Sequence, residues 1–409
     1  MTADPFAATG SAIPSIRDAA RPRRVTLIAL TGNLVIACVS LGLAAGLAEL
    51  VVRLVAPQQL VIKRPDIWRG LDTLGWGHRP DVNTTINTGE RTVRVLTDRD
   101  GFRVGAAGRT EGKRRILLLG DSFMEAFQVE YEQSLAGLLE ARVAARLGAP
   151  VAIRNTGVGG WDPPQYLMEA RRELGREPFD LVVVSVYLGN DVVPRRIERY
   201  PAGPPVEVQI HPLRVPRRLA YREFVDALLY PVNDFLKARS QLFIFLKKRT
   251  ETVLMRLGLT ATEFPADLLR SQADAPDWSV TAQICRDIRD LAQAGKVKVP
   301  TLFVLIPAPF QVDTAAFYQA LKGFKIDPSA VDLDQPNRVL AQAMRAYRLD
   351  VFDALPGFLQ LQRSGGRLYG TVDPHLTPQG HDVLERLVEP LVVARLAPGA
   401  GRAPLVPAH

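Results

Sequence analysis

From Arg114 onward the chain alternates short apolar runs with longer segments whose apolar residues recur every three or four positions. Short continuous apolar runs suit strands buried on both faces, and the helical recurrence suits helices laid over them. The pattern predicts strands over about 115–120, 150–155, 180–187, 299–306 and 348–353. It predicts helices over about 134–147, 163–176, 278–294, 336–347 and 378–396. Such alternation argues for an α/β domain, a parallel sheet with helices on both faces, covering residues 114–396.

Other parts of the chain break this rhythm. Val25 to Ala48 carries no charged residue and is long enough to span ~30 Å of hydrocarbon as a helix. We assign 1–24 to a basic N-terminus and 25–56 to a transmembrane helix, with Glu49 and Arg53 an i, i+4 pair at its end. Cleavage after Gly46-Leu47-Ala48 is an alternative. The lipoprotein-like Val35-Ile36-Ala37-Cys38 is disfavoured by the apolar run that follows it. Residues 57–113 read as a connector of Gly, Pro, Thr and Asn turns around one strand, Thr92 to Leu96. Residues 192–277 read as an insertion, Pro- and Arg-rich at first, then amphipathic helices near 220–237 and 239–257. It leaves from the loop after the third sheet strand, so it is either a lid over that edge or a packed decoration. Residues 397–409 read as a disordered tail.

Composition changes this picture little. Of 409 residues, 47% are hydrophobic and 23% charged, ordinary for a globular chain, and the net charge is +8. That excess allows attraction to anionic polymers or headgroups, but no zinc-finger spacing, RNA-binding signature or heptad accompanies it. Nucleic acid is therefore not an expected partner. The two cysteines, Cys38 and Cys285, imply no disulfide framework. With five histidines and no Cys/His cluster at ligand spacing, neither a metal nor another cofactor is expected.

Four short motifs fall where the predicted strands end. Gly120-Asp121-Ser122-Phe123 follows the first strand, and Asn155-Thr156-Gly157-Val158-Gly159-Gly160 the second. Gly189-Asn190-Asp191 closes the third, and Asp373-Pro374-His375 precedes the last helix. A serine on a strand-to-helix turn is held exposed, beside backbone N–H groups free to meet a ligand. Each motif alone is an ordinary βα turn. In this order they resemble the SGNH (GDSL-type) hydrolase family, in its membrane-anchored bacterial form, from about Lys113 to Leu396.

That resemblance implies a flavodoxin-like, doubly wound, five-stranded parallel sheet and a cofactor-free acyl-transfer site. Ser122 would be the nucleophile, His375 its base and Asp373 the acid partner holding the imidazole. The N–H groups of Ser122 and Gly160 and the Asn190 amide would form the oxyanion hole. Gly157 and Gly159 compete with Gly160, which is chosen by its offset of five from Asn155. Asp121, Asp191 and Asn155 would support the loops. His381 is a rival base, better suited to packing or capping. Asp373 precedes His375 by two positions where the family commonly has three, a spacing shared by relatives that acetylate exopolysaccharides. Thr97 to Arg103 matches the Gly-Phe-Arg element of anchored members and is expected to pack on the sheet.

The implied activity is ester hydrolysis through an acyl-serine, on an O-acylated carbohydrate of the cell envelope or exported polysaccharide. A polysaccharide O-acetyltransferase uses the same residues, and a non-catalytic assembly component would keep only the fold. Arg17, Arg21, Arg23 and Arg24 precede the apolar run, against Arg53, Lys63, Arg64 and Arg69 beyond it, and the N-terminal cluster is the closer one and sits on the short segment. This favours an inner-membrane, single-pass chain with its catalytic domain in the periplasm.

Overall fold

The computed structural model describes residues 27–56, 58, 66–88, 90–191, 235–236, 239–256, 278–313, 317–318, 321, 327–363, 365–370 and 373–397. The uncharged segment is one helix, α1 (Leu27–Val55). Within it Thr31–Val55 has a mean hydropathy of 2.3 and is long and apolar enough to cross a membrane. Leu34, Ile36, Leu41 and Leu43 are exposed, unlike the side chains of a soluble core helix.

Five strands form an all-parallel sheet: β6 (Arg114–Leu119), β7 (Val151–Asn155), β8 (Leu181–Tyr187), β9 (Thr301–Ile306) and β10 (Val351–Asp353). Their order is β7-β6-β8-β9-β10, the doubly wound flavodoxin-like arrangement. Because side chains alternate along a strand, each strand feeds two cores. Leu117, Leu119, Val182, Val184, Phe303 and Leu305 face one, and Ile116, Leu118, Val183, Leu302, Val304 and Ile306 the other. The first core is covered by α4 (Pro163–Arg176), α6 (Ser279–Gln293) and α8 (Gln335–Ala346). The second is covered by α3 (Leu135–Leu147), α9 (Leu355–Gln362) and α10 (Pro378–Leu396).

The elements read from periodicity are found within a few residues, and α9 is additional. Two one-turn helices follow strand ends, α2 (Ser122–Glu125) after β6 and α7 (Pro309–Val312) after β9. In the insertion, α5 (Gln241–Arg256) matches the expected helix near 239–257. The expected helix at 220–237 lies almost wholly outside the described residues, as do the segments 1–24 and 398–409.

The connector holds more structure than its one expected strand. β1 (Trp68–Leu71) pairs antiparallel with β2 (Gly75–His78), and β3 (Asn83–Asn87), β4 (Thr92–Thr97) and β5 (Arg103–Val104) form a second antiparallel sheet. Strands of two to five residues show no alternation long enough to be read; their pairing and packing hold them. Ile67, Trp68, Leu74, Val82 and Val95 join the first core.

Two arginines fasten the connector to the sheet domain. Arg154 on β7 donates to Asp98 at 2.8 Å, Asp100 at 2.6 Å and Glu173 at 2.9 Å, with its guanidinium 4.3 Å above the Phe102 ring. Arg103 is 1% exposed and donates to the carbonyls of Glu125 at 2.8 Å, Val129 at 2.5 Å and Ala126. Those carbonyls belong to the end of α2 and the turn beyond it. Replacing Arg103 with Met should strand two buried acceptors, Glu125 O and Val129 O, at about 1–3 kcal/mol each, while Ala126 O keeps its bond from Val129 N at 3.2 Å. Chemical denaturation should show about 2 kcal/mol or more of lost stability, which Lys, without the fork geometry, does not restore.

Candidate active site

Gly120, Asp121 and Ser122 turn the chain from β6 into α2. A Cβ on Gly120 would stand 2.4 Å from Met124 Cγ, so glycine is required for the turn to close. Asp121 caps the helix by accepting from Phe123 N at 2.9 Å. Ala126 ends it in the left-handed region at φ 53°, donating back to Ser122 O at 2.9 Å. Ser122 is thus the first residue of a one-turn helix at the carboxyl edge of the central strands, half-buried, and its own N–H meets no described residue.

His375 arrives from the other end of the domain. Its Nε2 lies 2.7 Å from Ser122 Oγ, and its Nδ1 hydrogen-bonds Asp373 Oδ1. The Asp373–Pro374–His375 spacing therefore allows the full serine–imidazole–carboxylate line. The loop is pinned by Gly370 N donating to His375 O at 2.9 Å and Thr377 N to Leu368 O at 2.9 Å. Phe123 stands 4.8 Å from the imidazole and stacks at 4.0 Å on Tyr187, walling one side. Gln128 donates to the second oxygen of Asp373 at 3.0 Å, fixing the carboxylate plane. Nothing in the sequence singled out Gln128, which lies in a turn without a motif.

The glycine-rich loop after β7 is clasped to α2. Asn155 donates to Met124 O at 2.7 Å and accepts from Gly157 N at 3.0 Å. Thr156 N and Val158 N donate to Leu118 O and Gly120 O at 2.9 and 3.3 Å. A Cβ on Gly157 would lie 2.5 Å from Glu125 N, so the loop approaches the helix as closely as glycine allows. Gly159 N donates to Glu125 Oε1 at 2.9 Å. Of the three glycines considered, Gly157 and Gly159 thus have their N–H groups occupied. Gly160, at φ 78° and exposed, donates to no described residue.

Asn190 is exposed in the turn after β8, on the side of the Asp121 carboxyl, whose pKa its amide acts to lower. Asp191 is buried and holds the same turn, accepting from Tyr187 N at 2.7 Å and from the Tyr166 hydroxyl at 3.0 Å. Asp121, Asn155 and Asp191 thus each bond backbone N–H groups of their own loops.

Electrostatics separates the acids and bases. Burial lifts Asp121 to about 6, against the backbone bond from Phe123 and the nearby His375. Burial also raises Asp191 well above the usual carboxylate range, with Asp121 adding to it. For His375, burial acts downward, but the Asp373 hydrogen bond and charge outweigh it and raise the imidazole above its ordinary value. His381 is different: burial, with Arg103 and His375 adding, lowers it to about 3. Its Nδ1 accepts from Leu135 N at 3.2 Å, the capping role expected of it.

No family model matches this sequence, and no curated protein matches it. The chain is similar to solved G-D-S-L lipolytic structures. One, a lipolytic G-D-S-L family member from Veillonella parvula, is 11% identical, with 67% of this chain and 96% of that one covered and a TM-score of 0.35. A carbohydrate acetylesterase family member from Sinorhizobium meliloti is 12% identical over 69% and 99% of the two chains, TM-score 0.34. A lipase/acylhydrolase from Enterococcus faecalis is 15% identical over 71% and 100%, TM-score 0.32. Likeness of this degree assigns neither substrate nor residue roles to this chain.

Any reaction in which Ser122 yields its proton to His375 requires the neutral imidazole. Since His375 is raised, the rate of serine modification should increase with pH through a midpoint above the ordinary imidazole value. Asp373→Asn should move that midpoint down. Inactivation by a fluorophosphonate, followed against pH in both proteins, measures it.

Proposed function

We propose that this protein is a serine ester hydrolase of the SGNH type, and the contact that carries the reading is Ser122 Oγ to His375 Nε2 at 2.7 Å. The hydroxyl is a weak nucleophile unless a base takes its proton as it attacks. As Oγ bonds to the acyl carbon, the proton moves to His375 Nε2 and the carbonyl electrons move onto oxygen. Ser122 N–H, Gly160 N–H and the Asn190 amide are the donors assigned to that oxyanion, and the two backbone groups are unoccupied among the described residues. Collapse breaks the ester C–O bond, and the departing alkoxide takes the proton from Nε2, leaving an acyl-serine. Water then repeats the sequence, its proton passing through His375 to Ser122. Asp373 stays ionised and stabilises the imidazolium.

The wall beside His375 supports a reading of the substrate class. Thr88, Glu90, Arg91 and Gln128 line a small groove with Asp373 and His375. Hydroxyl, carboxylate, guanidinium and amide groups suit a hydroxyl-rich alcohol portion better than an alkyl chain. We therefore favour an O-acylated polysaccharide of the envelope or an exported one. α1 would tether the chain, with the arginine-rich N-terminus inside and the catalytic domain in the periplasm. The same polar wall favours a second reading, acyl transfer to a sugar hydroxyl instead of water. Acetyl-ester turnover measured with and without an oligosaccharide acceptor separates the two.

Ser122→Ala should abolish ester turnover and fluorophosphonate labelling while far-UV circular dichroism is unchanged; turnover in the folded variant would reject the mechanism. Asn190→Ala should lower kcat by roughly a hundredfold with KM little changed, since its donor acts chiefly in the transition state. Steady-state kinetics on a soluble acetyl ester reads both parameters.

A further inference from the structure

Behind the nucleophile lies a second, wholly buried acid–imidazole pair that the mechanism above does not use. His78, the last residue of β2, places Nε2 2.6 Å from Glu125 Oε1, with side-chain exposures of 0% and 2%. Its Nδ1 lies 3.1 Å from Gly101 O. A carbonyl only accepts, so Nδ1 carries hydrogen; the Nε2–Oε1 contact then needs a second proton, held on the ring or the carboxyl. The pair is therefore net neutral in either form, which lets it persist without solvent. The ring is held between Trp68 at 4.7 Å and Phe127 at 5.0 Å.

Glu125 is the last residue of the one-turn helix that begins at Ser122. The same Oε1 accepts from Gly159 N at 2.9 Å. A Cβ at Gly159 would sit 2.9 Å from Glu125 Oε2 and 3.2 Å from Trp68, so loop and carboxylate are in close contact. One carboxylate thus joins the nucleophile's helix, the loop leading directly to Gly160, and the connector. Its position sets the spacing between the two backbone donors assigned to the oxyanion, Ser122 N–H and Gly160 N–H.

We propose that His78 and Glu125 are positioning residues for ester cleavage, holding the Gly160 loop against the nucleophile helix. This rests on the acyl-serine reading. It makes residues 66–113 a working part of the active site and not a spacer. Neither group exchanges a proton with substrate; they act through the geometry of the oxyanion donors, so their loss should appear in kcat and not in KM.

The test is steady-state kinetics on a soluble acetyl ester, with thermal unfolding, on the full chain in detergent. His78→Phe keeps the ring packing and removes the bond; Glu125→Met keeps the bulk and removes the acceptor. Each should lower kcat roughly tenfold to a hundredfold, within the loss seen when an oxyanion donor is removed, with KM within about twofold. His78→Gln and Glu125→Gln, whose amides can bridge the same gap, should recover most of the loss. Val95→Ala, a buried truncation elsewhere in the connector, should lower Tm and leave kcat unchanged. Wild-type kcat in folded His78→Phe or Glu125→Met overturns the proposal, as does an equal kcat loss in Val95→Ala. If His78→Phe does not fold, the Glu125→Met and Glu125→Gln pair decides by the same criterion. A wild-type chain without Ser122-dependent turnover would instead reject the acyl-serine reading, and this inference with it.

Discussion

The hydrogen bond from Ser122 to His375 joins residues 253 positions apart and tolerates little displacement at either end. Much of the architecture can be traced to that constraint. A parallel sheet sends every strand's C-terminus to one edge, so residues in different βα loops meet there whatever their separation in sequence. β6 and β8, adjacent in the centre, bring the Ser122 and Asn190 loops together, and β7 beside β6 supplies the glycine loop. His375 comes from no strand end. It is placed by the Tyr369–Leu376 bridge and by α10, whose buried Leu384, Val388 and Val392 lie in the core on the same face as α3.

Convergence of loops gives neighbourhood, and hydrogen-bond geometry requires further restraint. Here that restraint comes largely from outside the sheet. Three carbonyls at the end of the Ser122 helix and in the turn after it are gathered by Arg103, and the last side chain of that helix is held by His78. Both residues lie in the connector, and Arg154 with its acidic partners Asp98 and Asp100 fixes the connector in turn. Single exposed ion pairs contribute little, but these groups are buried and several-fold bonded, where breaking one leaves uncompensated charge.

How much of this was legible in the sequence depended on range. Strands buried on both faces announce themselves as apolar runs, so the sheet and its helices were readable. The four site motifs were readable because each combines a turn with a reactive side chain over three to six residues. His78 and Gln128 carry no such local mark: one ends a Gly-Trp-Gly-His strand, the other lies in a turn, and both matter only through partners dozens to hundreds of positions away. Arg103 stood in a recognised block, yet its use of carbonyls 125, 126 and 129 required the fold. Strands β1 to β3 escaped notice for the same reason, since their register is fixed by pairing and not by periodicity.

The two histidines near the C-terminus show how position decides chemistry for one side chain. Both are largely enclosed, and burial alone would keep either imidazole neutral. His375 has a carboxylate on Nδ1 and a hydroxyl on Nε2, so the proton it receives is stabilised as it arrives. His381, six positions on and one turn into α10, faces the N–H that begins α3 and the field of Arg103. A proton there would meet a donor and a cation. Burial acts on both rings, but only the one with an anionic partner is raised above its ordinary value. Asp373 is therefore what sets the two imidazoles apart electrostatically, and Gln128 holds the second oxygen of that carboxylate.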